Sequence, residues 1–228
     1  MAMRLAVAAV LTGLAGAAAA QAASPTVVEL YQSQGCSSCL PADANVNAIA
    51  DRPGVLALTF SVTYWDKLGW KDTFGDQRYT DRQWDYARAW RRADVATPEV
   101  VINGRSDLVG NDARALDAAI RAAGAPVGAS VALTTTTAEV AAGRAPAGGA
   151  EVWLVRYDPR TLYVAIRRGE NGGKTLPHKD VVRELVKLGR WRGPAARFNL
   201  AASRDAALKT AVLVQAPDGG PILAAARL

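Results

Sequence analysis

An α/β unit followed by a mostly β, sandwich-like unit is the fold class this sequence predicts. Two observations carry the first half. Strand-like and helix-like runs alternate from Thr26 to Gly124, and a Cys36-Ser37-Ser38-Cys39 pair falls where the first strand passes into the first helix. One observation carries the second half: beyond residue 126 the pattern turns to short Val- and Thr-rich runs separated by Gly, Pro and Asp turns. The expected division is a leader at 1–23, the α/β unit at 24–125 and a basic β-rich unit at 126–228.

The leader has Arg4, a small apolar run to Ala20 and an Ala20-Gln21-Ala22 end that reads as a cleavage site. The run is short for a membrane span of about 20 residues; an uncleaved anchor is the alternative. Export to a periplasmic or secreted location follows, and such a compartment permits disulfides.

In the α/β unit, Val27-Val28-Glu29-Leu30-Tyr31 forms the first strand. After the cysteines, Ala42, Val46, Ile49 and Ala50 recur at helical spacing until Asp51-Arg52-Pro53-Gly54 stops the helix. Val55 to Val62 is a second, buried strand. An aromatic stretch from Tyr64 to Trp90 then holds eight of the 15 aromatic residues. It either lines a groove beside the cysteines or packs as core. A helix starts near Thr80, where Thr80 and Gln83 form a capping box. Glu99 to Ile102 and Ser106 to Val109 form a hairpin about Asn103-Gly104. Asp112 caps a last helix that Gly124 closes.

In the β-rich unit, Val131 to Thr137, Glu151 to Tyr157, Leu162 to Arg168, Val212 to Gln215 and Ile222 to Ala226 read as strands, and Val181 to Leu188 is assigned the same way. Hydrophobic residues make up 50% of the chain and charged ones 21%, a globular composition. The net charge of +6 is uneven. Residues 24–125 carry 11 Lys and Arg against 13 Asp and Glu, whereas 126–228 carry 15 against 8. The basic half suits weak contact with an anionic envelope surface, or is a solvated face. Nucleic acid is excluded for want of a recognisable binding module.

Cys36 and Cys39 are the only cysteines. A C-x-x-C between strand and helix is the arrangement of a redox dithiol, with Cys36 the nucleophile at the helix start and Cys39 the resolving thiol. The reaction would be exchange with extracytoplasmic protein thiols or disulfides. The plainer alternative is a static disulfide, with the basic unit acting as a binding module in a non-enzymatic envelope protein. Glu29, in the strand before the pair, is a candidate proton carrier if buried; otherwise it faces solvent or forms an ion pair. No cofactor and no metal are expected. Cys36, Cys39 and His178 make a three-ligand copper or zinc set on paper, but His178 lies in the other unit and a closed zinc site needs four ligands. His178 is expected at a surface or unit interface.

The order of elements resembles the thioredoxin fold, in which a cis proline lies against the dithiol; Pro98, in Thr97-Pro98, matches that position, and Glu29 lies near the place of thioredoxin's buried acid. The wording is closer to one family. Val28-Glu29-Leu30-Tyr31, Ser33-Gln34-Gly35-Cys36-Ser37-Ser38-Cys39, Tyr64-Trp65-Asp66 with Leu68-Gly69-Trp70-Lys71-Asp72, and Thr97-Pro98 with Val101-Ile102-Asn103-Gly104 resemble the secreted bacterial proteins grouped as domain of unknown function 1223. Arg168-Gly169-Glu170-Asn171 and His178 with Val181-Val182-Arg183 extend the resemblance into the second half. It implies a thioredoxin-like protein and brings no established substrate. The chain departs from the family's wording at Leu40, where proline is expected, and at Ser61 and Thr63, where a histidine and an acid are expected.

Overall fold

The computed structural model describes residues 23–228, so the leader expected at 1–23 lies, but for its last residue, outside the described residues. The first half runs β1 (Thr26–Gln32), α1 (Leu40–Ile49), β2 (Val55–Ser61), α2 (Gln77–Ala89), β3 (Glu99–Ile102), β4 (Ser106–Leu108) and α3 (Ala113–Ala123). A one-turn 3-10 helix, Ser37–Cys39, leads into α1. The second half runs β5 (Val131–Leu133), β6 (Thr137–Val140), β7 (Ala150–Asp158), β8 (Leu162–Ala165), β9 (Thr175–His178), β10 (Val181–Trp191), β11 (Ala196–Asn199), β12 (Lys209–Gln215) and β13 (Ile222–Arg227).

The expected fold class, a thioredoxin-like α/β unit followed by a separate sandwich, is overturned. Eight strands from both halves form one mixed sheet in the order β13-β12-β7-β10-β2-β1-β3-β4. The described residues are mostly β, with three short α-helices. The physical reason lies at the exposed side of β2. An unpaired strand edge must find partners for its backbone groups, and β10 supplies them. Val181 pairs with Thr59 in parallel, the Thr59 N–H donates to the Asp180 carbonyl at 2.9 Å, and the Thr59 hydroxyl donates to the Lys179 carbonyl at 2.9 Å.

Each strand's alternation assigns its side chains to one face or the other. Val27, Tyr31, Leu56, Leu58 and Phe60 point to the same face as Val155, Tyr157, Val182 and Leu213, so one core spans both halves beneath α2. Tyr31 stacks on Phe60 at 5.3 Å, and Tyr79 of α2 meets Phe60 edge-on at 5.3 Å. The opposite face is divided. Val28, Leu30, Val55 and Ala57 pack on Ala42, Val46 and Ile49 of α1 and on Leu116 and Ile120 of α3. Val152, Leu154, Val212 and Trp191 pack on Val131, Ala138 and Val140 of a three-stranded sheet ordered β11-β6-β5.

The local signals account for several ends. The Asp112 carboxylate accepts from the Arg114 and Ala115 N–H groups and starts α3. Asn103 and Gly104 take φ of 50° and 61°, the hairpin conformation that asparagine and glycine tolerate. A side chain at Gly104 would also meet the Gly220 carbonyl at 2.9 Å. The start of α2 is different from the capping box expected at Thr80. Asp76 caps it by accepting from the Arg78 N–H, while the Thr80 hydroxyl, already inside the helix, accepts from the Thr63 N–H at 2.9 Å.

Candidate functional site

Cys36 and Cys39 form a disulfide with their α-carbons 5.5 Å apart, and both residues are 0% exposed. The loop that carries them is built by short-range bonds. Cys36 N–H donates to the Ser33 carbonyl at 3.0 Å, Gly35 N–H to the Ser33 hydroxyl at 3.1 Å, and Cys39 N–H to the Cys36 carbonyl at 3.3 Å. The aromatic insertion then clamps it. Asp72 accepts from the Gln34 N–H at 2.7 Å, and the Gln34 side-chain oxygen accepts from the Trp70 indole at 2.9 Å.

The second half supplies a strap. Asn171 donates from its amide to the Gln34 and Cys36 carbonyls, both at 3.0 Å. The Glu170 carboxylate accepts from the Ser37 N–H at 2.9 Å, a bond that holds its carboxyl below the usual range. Gly169 makes the close approach with φ of 75° and would bring an added Cβ to 3.4 Å from Trp70 Cβ.

The two sulfurs differ in their polar company. The Ser38 hydroxyl lies 3.3 Å from Cys36 Sγ, and the Thr97 hydroxyl donates to Cys36 Sγ at 3.4 Å. Thr97 is itself held by the Trp65 indole, which donates to its hydroxyl at 2.7 Å, and the Thr97–Pro98 peptide is cis. The Thr97–Pro98 segment therefore stands beside Cys36. Cys39 Sγ receives no such hydroxyl among the described residues.

Glu29 is not brought to the dithiol. It shares its face with Val27 and Tyr31, so the sheet separates it from α1. Its environment is the ion-paired one. Arg82 donates from Nε to Glu29 Oε1 at 2.8 Å, and the Tyr86 hydroxyl donates to Oε2. Gln215 from β12 closes the set by accepting from Arg82 at 2.9 Å and donating to the Tyr86 hydroxyl at 3.1 Å.

The acids on the cysteine side were not singled out by sequence. Burial pushes Asp72 up to about 6 against the opposing pull of the Gln34 and Phe74 N–H groups. Asp43 lies four residues beyond Cys39 on α1; burial first, and then the neighbouring Asp72 charge, raise it well above the usual carboxylate range. Its signal was present in the sequence as a lone acid at helical spacing within the apolar face of Ala42, Val46 and Ile49.

Of the surface or unit interface expected for His178, the interface holds: on β9 it is fully buried, edge-on to Phe74 of the first half at 5.8 Å, with neither ring nitrogen hydrogen-bonded. Among the described residues no cluster of three His, Cys, Asp or Glu side chains is arranged to hold a metal ion. Burial lowers the imidazole to about 4, while the unfolded chain protonates near 6.5. The neutral ring's contribution to stability is therefore complete above about pH 6.5 and is lost as pH falls toward 4. Asp72, raised in the fold, has the opposite sign and disfavours the fold as pH rises through about 6. The measurement that isolates the histidine is the urea stability of wild type minus that of His178→Gln. That difference should fall by about 2–3 kcal/mol between pH 7 and pH 4; a difference independent of pH would refute the assignment.

Sheet, strap and disulfide together define a class: a mixed-sheet protein with a covered cysteine pair at the start of a helix and two buried acids, Asp43 and Asp72, in the elements that follow it. The chain belongs to the family described as Protein of unknown function (DUF1223), whose match spans residues 27–215. It is similar over 92% of its length to the crystal structure of a protein from Agrobacterium tumefaciens, at 31% identity and a TM-score of 0.75, covering 96% of that chain. A second solved structure, HBP35 of Porphyromonas gingivalis, shares the fold at a TM-score of 0.61 and 12% identity, over 90% of this chain and 75% of that one. No curated protein matches the sequence.

Proposed function

We propose that the protein is an exported thiol:disulfide oxidoreductase that works by exchange at Cys36 and Cys39. A partner thiolate attacks Cys36 Sγ, the Cys36–Cys39 bond breaks, and Cys39 leaves with the electron pair. A second partner thiolate then displaces Cys36, so the partner is oxidised by two electrons and the pair is reduced. The observation that carries this reading is the asymmetry at the sulfurs: two hydroxyl groups converge on Cys36 Sγ, where they favour a thiolate. The leader supports a periplasmic or secreted location, and partners would be extracytoplasmic protein thiols or disulfides.

One observation favours a second reading. Both cysteines are covered and the loop is tied by Asp72, Trp70 and Asn171, which suits a structural clip. Equilibration of the purified protein with glutathione separates the two. An exchange protein sits at roughly −120 to −270 mV, whereas a structural disulfide sits below about −300 mV.

Glu170 opposes the reactive form. Its carboxylate accepts from the N–H of Ser37, next in the chain to Cys36, and sets a negative charge near the position where the thiolate forms. Glu170→Ala should therefore speed iodoacetamide alkylation of the reduced protein at Cys36, by roughly two- to threefold. A rate equal to or below wild type counts against this role.

A further inference from the structure

We infer that Asp43 is the proton donor and acceptor of Cys39: its carboxyl hands a proton to the Cys39 sulfur as the disulfide opens and takes one back as it closes. The inference rests on the exchange reading above.

The need comes from burial. Cys39 is 0% exposed, and a leaving thiolate there would be a charge without water. A proton has to come from within the protein. Cys39 has a right-handed helical backbone, φ −75° and ψ −24°, at the start of α1. The i, i+4 relation therefore runs unbroken from Cys39 to Asp43, with β-carbons about 5–6 Å apart on one helix face. That separation suits transfer directly or through one water.

Asp43 has no packing explanation. It is 5% exposed, stands between the buried Ala42 and Val46, and leaves Oδ1 buried with no hydrogen-bond partner. Such orphaned carboxyl oxygens are costly and uncommon in folded interiors. Burial first, and then one neighbouring charge, favour its protonated form. Asp72 is the charged group that acts on it, and it acts in the same direction as burial. Glu29 and Arg82 pair on the other face of the sheet. Asp117 of α3 is bound by Arg52 and Arg121, Lys179 by Asp51, and His178 of β9 is held neutral by burial.

The step balances. An attacking thiolate forms a bond to Cys36 Sγ, the Cys36–Cys39 bond breaks, and its electron pair goes to Cys39 Sγ. That sulfur takes the Asp43 proton, leaving a mixed disulfide at Cys36, a Cys39 thiol and an Asp43 carboxylate. Closure runs the same transfers backwards.

The test opens the oxidised full chain with excess dithiothreitol, quenched by alkylation at set times across pH 5–9. Rates are expressed per reagent thiolate. Asp43→Asn should open about 100-fold more slowly than wild type. The wild-type rate should fall as pH rises through the titration of Asp43, followed separately by carboxyl NMR, and this dependence should vanish in the variant. A variant that folds, by circular dichroism, and opens at the wild-type rate with the wild-type profile overturns the role of Asp43 and leaves exchange standing. If the variant does not fold, the wild-type profile decides, and a flat one overturns the role. A wild-type disulfide that dithiothreitol does not open overturns the exchange reading itself.

Discussion

Arg82→Met is expected to destabilise the protein by about 3–5 kcal/mol, because it leaves the Glu29 carboxylate buried without its counter-charge. The guanidinium is 5% exposed at the side chain and serves five residues at once. It binds Glu29, Gln215 and the Tyr86 hydroxyl, and lies over the Phe60, Tyr86 and Trp153 rings at 5.4–5.9 Å. For a chain of this size the melting temperature should drop by roughly 6–20 °C. The double variant Glu29→Leu with Arg82→Met removes both charges and should recover most of the loss, since desolvation opposes the attraction within a buried pair. Thermal denaturation of the single and double variants, read as a cycle, checks both statements. A single variant within 1 kcal/mol of wild type would show that the network is not buried in the way described.

The second large effect concerns chemistry. Cys36→Ser should abolish covalent capture of a disulfide partner by the reduced protein, a loss of at least about 100-fold. In reduced Cys39→Ser the Cys36 thiolate still attacks the partner's disulfide and releases one partner thiolate, but no second cysteine resolves the product, so a mixed disulfide accumulates at Cys36. Mass spectrometry of each reduced variant, mixed with a small disulfide-bonded peptide, reads the outcome directly. Equal capture by the two variants would remove the distinction drawn from the Ser38 and Thr97 hydroxyls.

Local chemistry was legible in the sequence where it acts over a few residues. The Asp112 cap, the Asn103-Gly104 turn and the apolar stripe of α1 each declare themselves within one or two turns of chain, and each is found as expected. The junction between β2 and β10 was not legible, because Thr59 and Val181 are far apart in sequence and pairing leaves no periodicity. It is also what makes one sheet of two expected units. The site was half legible for a related reason. Glu29 and Asp43 are both lone acids in apolar runs. Whether Glu29 lies on the side of β1 that receives α1 is what decides its distance from the cysteines, and alternation alone does not say. The choice between Asp76 and Thr80 as the cap of α2 was likewise settled by a distant group, the Thr63 N–H that Thr80 serves.

The strap has a consequence in time. The chain is made from its N-terminus at about 5–20 residues per second, and Asn171 follows Gln34 by 137 positions. The loop of Cys36 and Cys39 thus exists for several seconds before Glu170 and Asn171 are made to bind its backbone. The newborn loop meets its surroundings untied, and the arrival of two residues late in the sequence fixes it in place.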